Sequence, residues 1–467
     1  MTATIAAPAE APPAEAARAG RREWIGLAVL ALPALLVSLD VFVLVLALPK
    51  LSAGLHADGT QQLWIMDIYG FMIAGFMVTM GTLGDRIGRR KLLLAGATAF
   101  GAASVVAAFS TSAAMLIAAR AVLGVAGATL APSTLSLIGT MFRNPRQRAE
   151  AIGIWAGCFT VGAIIGPMVG GFMLEHFWWG SVFLLGVPAM VLLLVIGPKL
   201  LPEYRDETAG RLDLPSVALS LAAILPAVYG VKELARGGVH LAPLAALAIG
   251  GAFGYVFVKR QRTLEDPLID FSLFAAKAFR TTLGGMLLFS MLGGTTMLFV
   301  AQFFQVVQHL SPVGAALGLL PGMATSTVSF LAAPVLARRV KPSALIAGGV
   351  ALAAAGMAIL ALADPVAGPA WPAIGLAVTS AGVGPMVALG TDLVVGSVPP
   401  RKAGAASALA QTVNEFGYSL GIATVGTLGN AVVRAHGFAD GLHVVAGLAA
   451  VAFAALVWFV AKNLRTA

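Results

Sequence analysis

Long apolar runs alternate with short polar breaks along almost the whole chain. The runs fall at about 24–48, 60–83, 92–110, 112–140, 151–174, 180–200, 215–235, 240–258, 281–308, 313–337, 343–363, 371–396, 403–431 and 442–461. A helix crosses the hydrocarbon core with about 20 mostly apolar residues. The pattern therefore predicts an all-α membrane protein with fourteen transmembrane helices and both termini on one side. The seventh and twelfth runs are the least regular. One contains Pro226 and ends in Lys232-Glu233, and the other contains Pro372, Pro385 and Asp392.

The polar breaks fix the orientation. With the N-terminus inside, the cytoplasmic segments carry 25 of the 30 Lys and Arg residues. The outer breaks hold Lys50, Lys232, Arg236 and Arg434, and Arg120 lies within a helix. This is the asymmetry that the positive-inside rule requires, and an odd number of helices would scramble it. Both termini are expected in the cytoplasm of a bacterial cell, with the chain a multi-pass protein of the inner membrane.

Composition agrees and narrows the choice. Of 467 residues 59% are hydrophobic and 11% charged, with mean hydropathy +0.90, whereas soluble domains are about a quarter charged. The 54 Gly and 25 Pro residues suit lipid-embedded helices, where small residues allow close approach and neighbours repair broken backbone bonds. The +9 net charge sits in the polar breaks and gives no reason to expect nucleic acid as a partner. Cys158, alone, excludes an intrachain disulfide and a multi-cysteine metal site. No metal is expected: His309 has no partner at ligand spacing. Catalytic sets and phosphate loops are also missing, which argues against an enzyme.

The pattern divides the chain into a disordered cytoplasmic tail (1–22), a six-helix bundle (23–200), a two-helix insert (212–260), a cytoplasmic amphipathic loop (261–280) and a second six-helix bundle (281–467). The basic stretch 259–280, with its Leu/Phe face, is expected to form a membrane-surface helix. An internal duplication supports the two bundles. Leu83-Gly84-Asp85-Arg86 follows the second helix of one and Leu336-Ala337-Arg338-Arg339 the second helix of the other. Such halves around a midplane site are the architecture of alternating-access transporters.

Two local motifs carry more than packing. Between helices 2 and 3 stands Gly81-Thr-Leu-Gly-Asp85-Arg86-Ile-Gly88-Arg89-Arg90-Lys91. Its glycines allow a tight turn, and its acid, set among cations, can pair across to a neighbouring helix end and hold one of two bundle arrangements. A basic anchor would need neither Asp85 nor spaced glycines. Helix 5 carries Gly162-x-x-x-Gly166-Pro167-x-x-Gly170-Gly171, a close-packing face with a bend at Pro167.

From about residue 24 to 461 the chain resembles the major facilitator superfamily. The first motif is similar to that family's loop signature, and the second to the pattern associated with its antiporters. Leu39-Asp40 through Ala47-Leu48-Pro49, Trp64-x-x-Asp67-x-Tyr69 and Ser311-Pro312 through Leu320-Pro321 resemble the fourteen-helix drug:proton antiporter branch, which includes the quaternary-ammonium and multidrug efflux pumps. Relatives usually carry Thr and Asn where this chain has Phe42 and Val45, and Gln where it has Leu123. The resemblance implies proton-driven export of lipophilic, mainly cationic compounds by alternating access, a monomer, and no cofactor beyond the proton gradient.

Ionisable residues inside the membrane are the natural candidates, because each costs roughly 2.5–3.5 kcal/mol to insert. For proton coupling these are Asp40, Asp67, Arg120 and Glu415. Asp40 and Asp67 are expected at one depth toward the outside, each able to hold a proton or to face a cation. The competing readings are a fixed Asp40–Arg120 pair and an Asp67 resting at the outer interface. Asp392, near the cytoplasmic end, is expected to be structural. Arg120 matches the family's fourth-helix arginine, implicated in proton transfer. Glu415, with Gln411 and Asn414 nearby, matches an acid of the relatives. Asp40, Trp64, Asp67, Tyr69, Phe303, Phe304, Asn414, Glu415, Phe416 and Tyr418 are the candidate substrate contacts. Aromatic rings suit lipophilic cations through cation–π attraction. Gating is assigned to Gly81, Asp85, Arg86, Gly88, Arg89, Arg90, Gly162, Gly166, Pro167, Gly170 and Gly171. Moving one charge through 100 mV is worth roughly 2.3 kcal/mol, and a one-for-one exchange of monovalent cation and proton harvests none of it. Several acids therefore predict more than one proton per cation. A dedicated exporter of one antibiotic or metabolite, and a non-transporting membrane sensor, remain the alternatives.

Overall fold

A computed structural model describes residues 19–205, 213–264, 267–269, 271–398 and 403–463. The expected N-terminal tail lies, up to residue 18, outside them. Fourteen helical rods are present among the described residues. The first six are α1 (Arg21–Leu55), α2 (Gly59–Ile87), α3 (Arg89–Ala108), α4 (Ala113–Met141), α5 (Pro145–His176) and α6 (Ser181–Leu200). A hairpin of α7 (Leu214–Gly237) and α8 (Leu241–Gln261) follows. The last six are α9 (Lys277–Val306), α10 (Pro312–Leu336), α11 (Pro342–Ala361), α12 (from Ala370), α13 (from Ala403) and α14 (Phe438–Asn463).

Two rods pass through π turns. In α12, Ala370–Ala381 passes through a π turn, Pro385–Leu389, into Gly390–Gly396. In α13, Ala403–Gly421 passes through a π turn, Ile422–Gly426, into Thr427–His436. Pro385 has no N–H to donate at the first turn, which explains the first irregularity. The sequence at Ile422–Gly426 offers no equivalent reason.

Polar caps stop the helices at the boundary. Asp58 accepts from Gln61 N at 2.8 Å to start α2, and Ser311 accepts from Gly314 N at 3.1 Å to start α10. The exposed side chains are largely apolar, among them Phe172, Val195, Tyr255, Leu331 and Val451, as a lipid-facing surface demands. Residues 259–280 differ from expectation. α8 runs on to Gln261, and among the described residues beyond it only a 3-10 turn, Phe271–Ala275, precedes α9. The Phe271 and Phe274 rings lie 5.9 Å apart, and Phe274 meets buried Phe279 at 5.4 Å. The apolar face is thus used against the body of the protein.

The rods pack as α1 on α5, α2 on α4, α3 on α4 and α6, then α9 on α13, α11 on α12 and α14, and α10 on α12. The two groups meet where α2 touches α13 and α5 touches α10. The meeting points cluster toward the outer side, given the cytoplasmic N-terminus. A Cβ on Gly59 would strike Asn430, and one on Gly70 would strike Ser419. At the other seam, a Cβ on Gly171 would come within 2.9 Å of the Pro312 carbonyl. Glu175 accepts a hydrogen bond from Val313 N at 3.1 Å, and Lys50 donates to the Leu174 carbonyl at 2.5 Å. On the cytoplasmic side of these contacts a small cleft lies between the groups, where Thr412 of α13 still reaches Met77 of α2.

Candidate functional site

The cleft is lined by Pro33, Ala34, Val37, Ile73, Met77, Gly127, Leu130, Ala131, Trp155, Phe159, Gln411 and Glu415. In this conformation it has room for little more than a water molecule, about 20 Å³, within about 400 Å³ of space that includes its open mouth. Gln411 and Glu415 supply its polar chemistry from α13, against an otherwise apolar wall from α1, α2, α4 and α5. Glu415 has no ion-pair partner among the described residues.

One turn along α1 from Val37, Asp40 meets Arg120 of α4 with 2.5 Å between Oδ2 and the guanidinium. The Arg120 side chain is 1% exposed and that of Asp40 14%. The guanidinium also donates from Nε to the Ile65 carbonyl at 3.2 Å and lies 4.3 Å from the centre of the Tyr69 ring. Charge, hydrogen bond and π face all hold it. Glycines bring the carriers together. A Cβ on Gly124 would come within 2.5 Å of the Tyr69 carbonyl, so α2 and α4 touch backbone to backbone. Gly162, Gly166 and Gly170 face Leu35 and Ser38, Leu39 and Phe42, and Val43 respectively. The helix 5 motif is therefore the bed on which the Asp40 helix lies, while Gly171 turns to α10. Pro167 stands inside α5 without ending it.

Asp67 lies elsewhere. It is 0% exposed and paired with Lys232 Nζ at 2.7 Å, itself 1% exposed, and that ammonium lies 3.8 Å from the centre of the Trp64 ring. Lys232 is thus not an outer-loop residue: it belongs to α7, and removing it from the outer tally sharpens the inside bias. Sequence reasoning missed it, although a lysine at the end of an apolar run bearing an odd proline was visible. Asp40 and Asp67 do not share a site. Ile65, Tyr69 and Ile73 turn one face of α2 to α4. Trp64, Asp67, Phe71 and Gly75 turn another to α7, where they meet Lys232, Val228 and Leu221 in antiparallel order.

The other candidates separate into groups. Phe416 meets Phe71 edge to face at 5.9 Å, beside α7. Asn414 accepts from Ser290 at 2.9 Å, tying α13 to α9. Tyr418 covers Gly294 of α9, with its hydroxyl buried and unpartnered. Phe303 and Phe304 are 0% exposed, and Phe304 closes on Gly318 of α10; neither reaches the cleft. Asp392 is exposed.

In the loop between α2 and α3, Gly88 has φ 113°, a backbone open to glycine alone among common residues. Asp85, in the last turn of α2, pairs with Arg89, the first residue of α3, at 2.6 Å. The tie to a neighbour comes from Arg90, which donates to the Leu201 carbonyl at 3.0 Å and through its main-chain N to Glu203 at 3.1 Å. Glu203 is a partner that the motif itself did not announce. Arg86 is exposed and Gly81 faces open space.

Fourteen helices in this packing, with a largely apolar cleft between two groups, define a major facilitator fold. The chain belongs to the Major Facilitator Superfamily, whose sequence profile matches residues 30–422. Among its relatives is the Multidrug efflux pump LfrA of Mycolicibacterium smegmatis, 43% identical over 90% of this chain and 83% of that protein. Methyl viologen resistance protein SmvA of Salmonella typhimurium is 37% identical over 87% and 82%. Puromycin resistance protein pur8 of Streptomyces alboniger is 31% identical over 89% and 83%. A crystal structure of a POT family transporter with a bound thioalcohol-conjugated peptide superimposes with TM-score 0.71 at 16% identity, covering 94% of this chain and 97% of the other, which bears on the fold alone.

Proposed function

We propose that the protein exports lipophilic, mainly cationic drugs in exchange for protons, by alternating access of the halves 23–200 and 281–467. The observation that carries this reading is the Asp40–Arg120 pair at the head of a cytoplasmic cleft that also holds the unpaired Glu415. A carboxylate can keep Arg120 as its partner or take a proton and let go, but its negative charge serves one at a time. Protonation from outside frees the pair, and loss of the proton to the cytoplasm remakes it. The relatives' names, a multidrug efflux pump and a methyl viologen resistance protein, support export of such compounds.

Asp40 and Glu415 are the proton carriers in this reading, because Asp40 is partly exposed and Glu415 lines the cleft, whereas Asp67 is fully enclosed with Lys232. Two carriers allow more than one proton per monovalent cation. The outer contacts at Gly171 and Glu175 and the ties of Gly88, Arg89 and Arg90 serve as the alternating gates. In proteoliposomes with the pH gradient clamped, an imposed membrane potential should accelerate efflux of tetraphenylphosphonium. Efflux of that ion indifferent to the potential would refute the multiple-proton exchange.

A further inference from the structure

The Trp64 ring and the Asp67 carboxylate together form a seat for a cation, and in this conformation the chain fills it with its own lysine. Three features make this more than a buried ion pair. The seat offers an aromatic face and a carboxylate to one positive charge, the arrangement that recognises organic ammonium ions. Its surroundings are apolar: Phe71, Val228, Ile224, Leu225, Phe416 and Leu420 pack about it. A strongly hydrated ion is therefore excluded, whereas a weakly hydrated organic cation is not. The seat also lies along the line where α2 meets α13, covered by α7, a place that opens when the two halves separate.

The occupant is built to leave. Among the described residues Lys232 Nζ and the Asp67 carboxylate, 2.7 Å apart, have no polar partner but each other, and the Trp64 face is the ammonium's one further hold. Arg120, by contrast, is fixed by directed bonds. Lys232 stands five residues before the outer end of α7 at Gly237, about 7.5 Å at 1.5 Å per residue. Its four-carbon stem can lie along the apolar wall and carry the ammonium to the outer boundary.

We propose that Lys232 is a specificity-determining residue, a tethered competitor that occupies the Trp64–Asp67 seat until a lipophilic organic cation displaces it. The inserted hairpin α7–α8 then acts as a selectivity element: only cations that bind the ring and the carboxylate better than a lysine ammonium gain the seat. This rests on the exporter reading above and adds to it a second cation position, away from Asp40.

The full-length protein in proteoliposomes tests this with tetraphenylphosphonium as the probe. Lys232→Met should lower the half-saturating concentration about tenfold, the equivalent of 1.4 kcal/mol. Adding Asp67→Asn should return it to the wild-type value or above. A half-saturating concentration unchanged or raised in Lys232→Met would overturn the proposal, as would a gain that survives Asp67→Asn. In unaltered protein, amine acetylation read by mass spectrometry gives a second arm that needs no variant. Tetraphenylphosphonium should raise labelling of Lys232 several-fold as the ammonium moves outward, and unchanged or reduced labelling would overturn the proposal even if Lys232→Met fails to fold. If the wild-type protein exports no organic cation, the exporter reading fails first. If export is intact and Lys232 behaves as an inert pair, only this inference falls.

Discussion

The protein holds two cation–carboxylate–aromatic groups on opposite faces of α2, and they are built differently. Asp40, Arg120 and Tyr69 join three helices of the first half beside the cytoplasmic cleft, with directed hydrogen bonds and a carboxylate still partly exposed. Asp67, Lys232 and Trp64 join α2 to the inserted hairpin, fully enclosed, with the two charges 2.7 Å apart and no other polar partner among the described residues. The difference teaches that depth of burial and the number of holding contacts do not run together. The more deeply buried acid has a single polar partner and is closed off from solvent in this conformation, whereas the partly exposed one is held by a guanidinium that is itself fixed to the Ile65 carbonyl and the Tyr69 ring.

The largest effects should follow from breaking the first group. Asp40→Asn or Arg120→Met removes one partner of a buried pair, at a cost of about 3–5 kcal/mol. Each should lower the thermal unfolding temperature in detergent and end export from everted vesicles. The double variant should regain stability without regaining export; one that exports at the wild-type rate would remove the pair from the exchange.

A sharper comparison comes from double-mutant cycles on stability. The coupling of Asp40 with Arg120 should reach about 3 kcal/mol and that of Asp67 with Lys232 about 1 kcal/mol, within the range for contacting residues. Equal or inverted couplings would contradict the contrast between a pair fixed by further contacts and a pair that has only itself.

The smallest effect concerns the inner end of the hairpin. Asp213 is driven up by burial, but the hydrogen bonds from Arg260 and from Ser216 outweigh this and leave its carboxyl below the usual carboxylate value. A lowered native value stabilises the clamp above the ordinary carboxylate range, and that contribution is lost as pH falls through the lowered value. The unfolding temperature of Asp213→Asn should therefore depend less on pH in the acid range than that of the wild type. Parallel curves would remove the clamp from the stability of the hairpin.

Much of this was legible in the sequence because the bilayer imposes a local code. Fourteen apolar runs are read without knowing any tertiary contact, and they match the fourteen helical rods of the described residues. The glycine spacing of helix 5 named a packing face, though only the structure says that the face receives the Asp40 helix. Asp40 with Arg120 was foreseeable as a pair, since two opposite charges stranded in apolar helices need one another. Lys232 was misread for a physical reason. A lysine beside a glutamate at the end of an apolar run looks like an interfacial anchor, and its partner lies 165 positions earlier. Phe303 and Phe304 show the converse: aromatic side chains are as useful for packing helices as for binding cargo, and nothing local distinguishes the two uses.

Proton counting on the purified protein tests the exchange most directly. In lightly buffered detergent solution near neutral pH, tetraphenylphosphonium should drive protons off the wild-type protein, and Asp40→Asn/Glu415→Gln should bind the ion with no proton release. Release of equal size from that double variant would contradict the assignment of Asp40 and Glu415 as the groups that trade hydrogen ions for cargo.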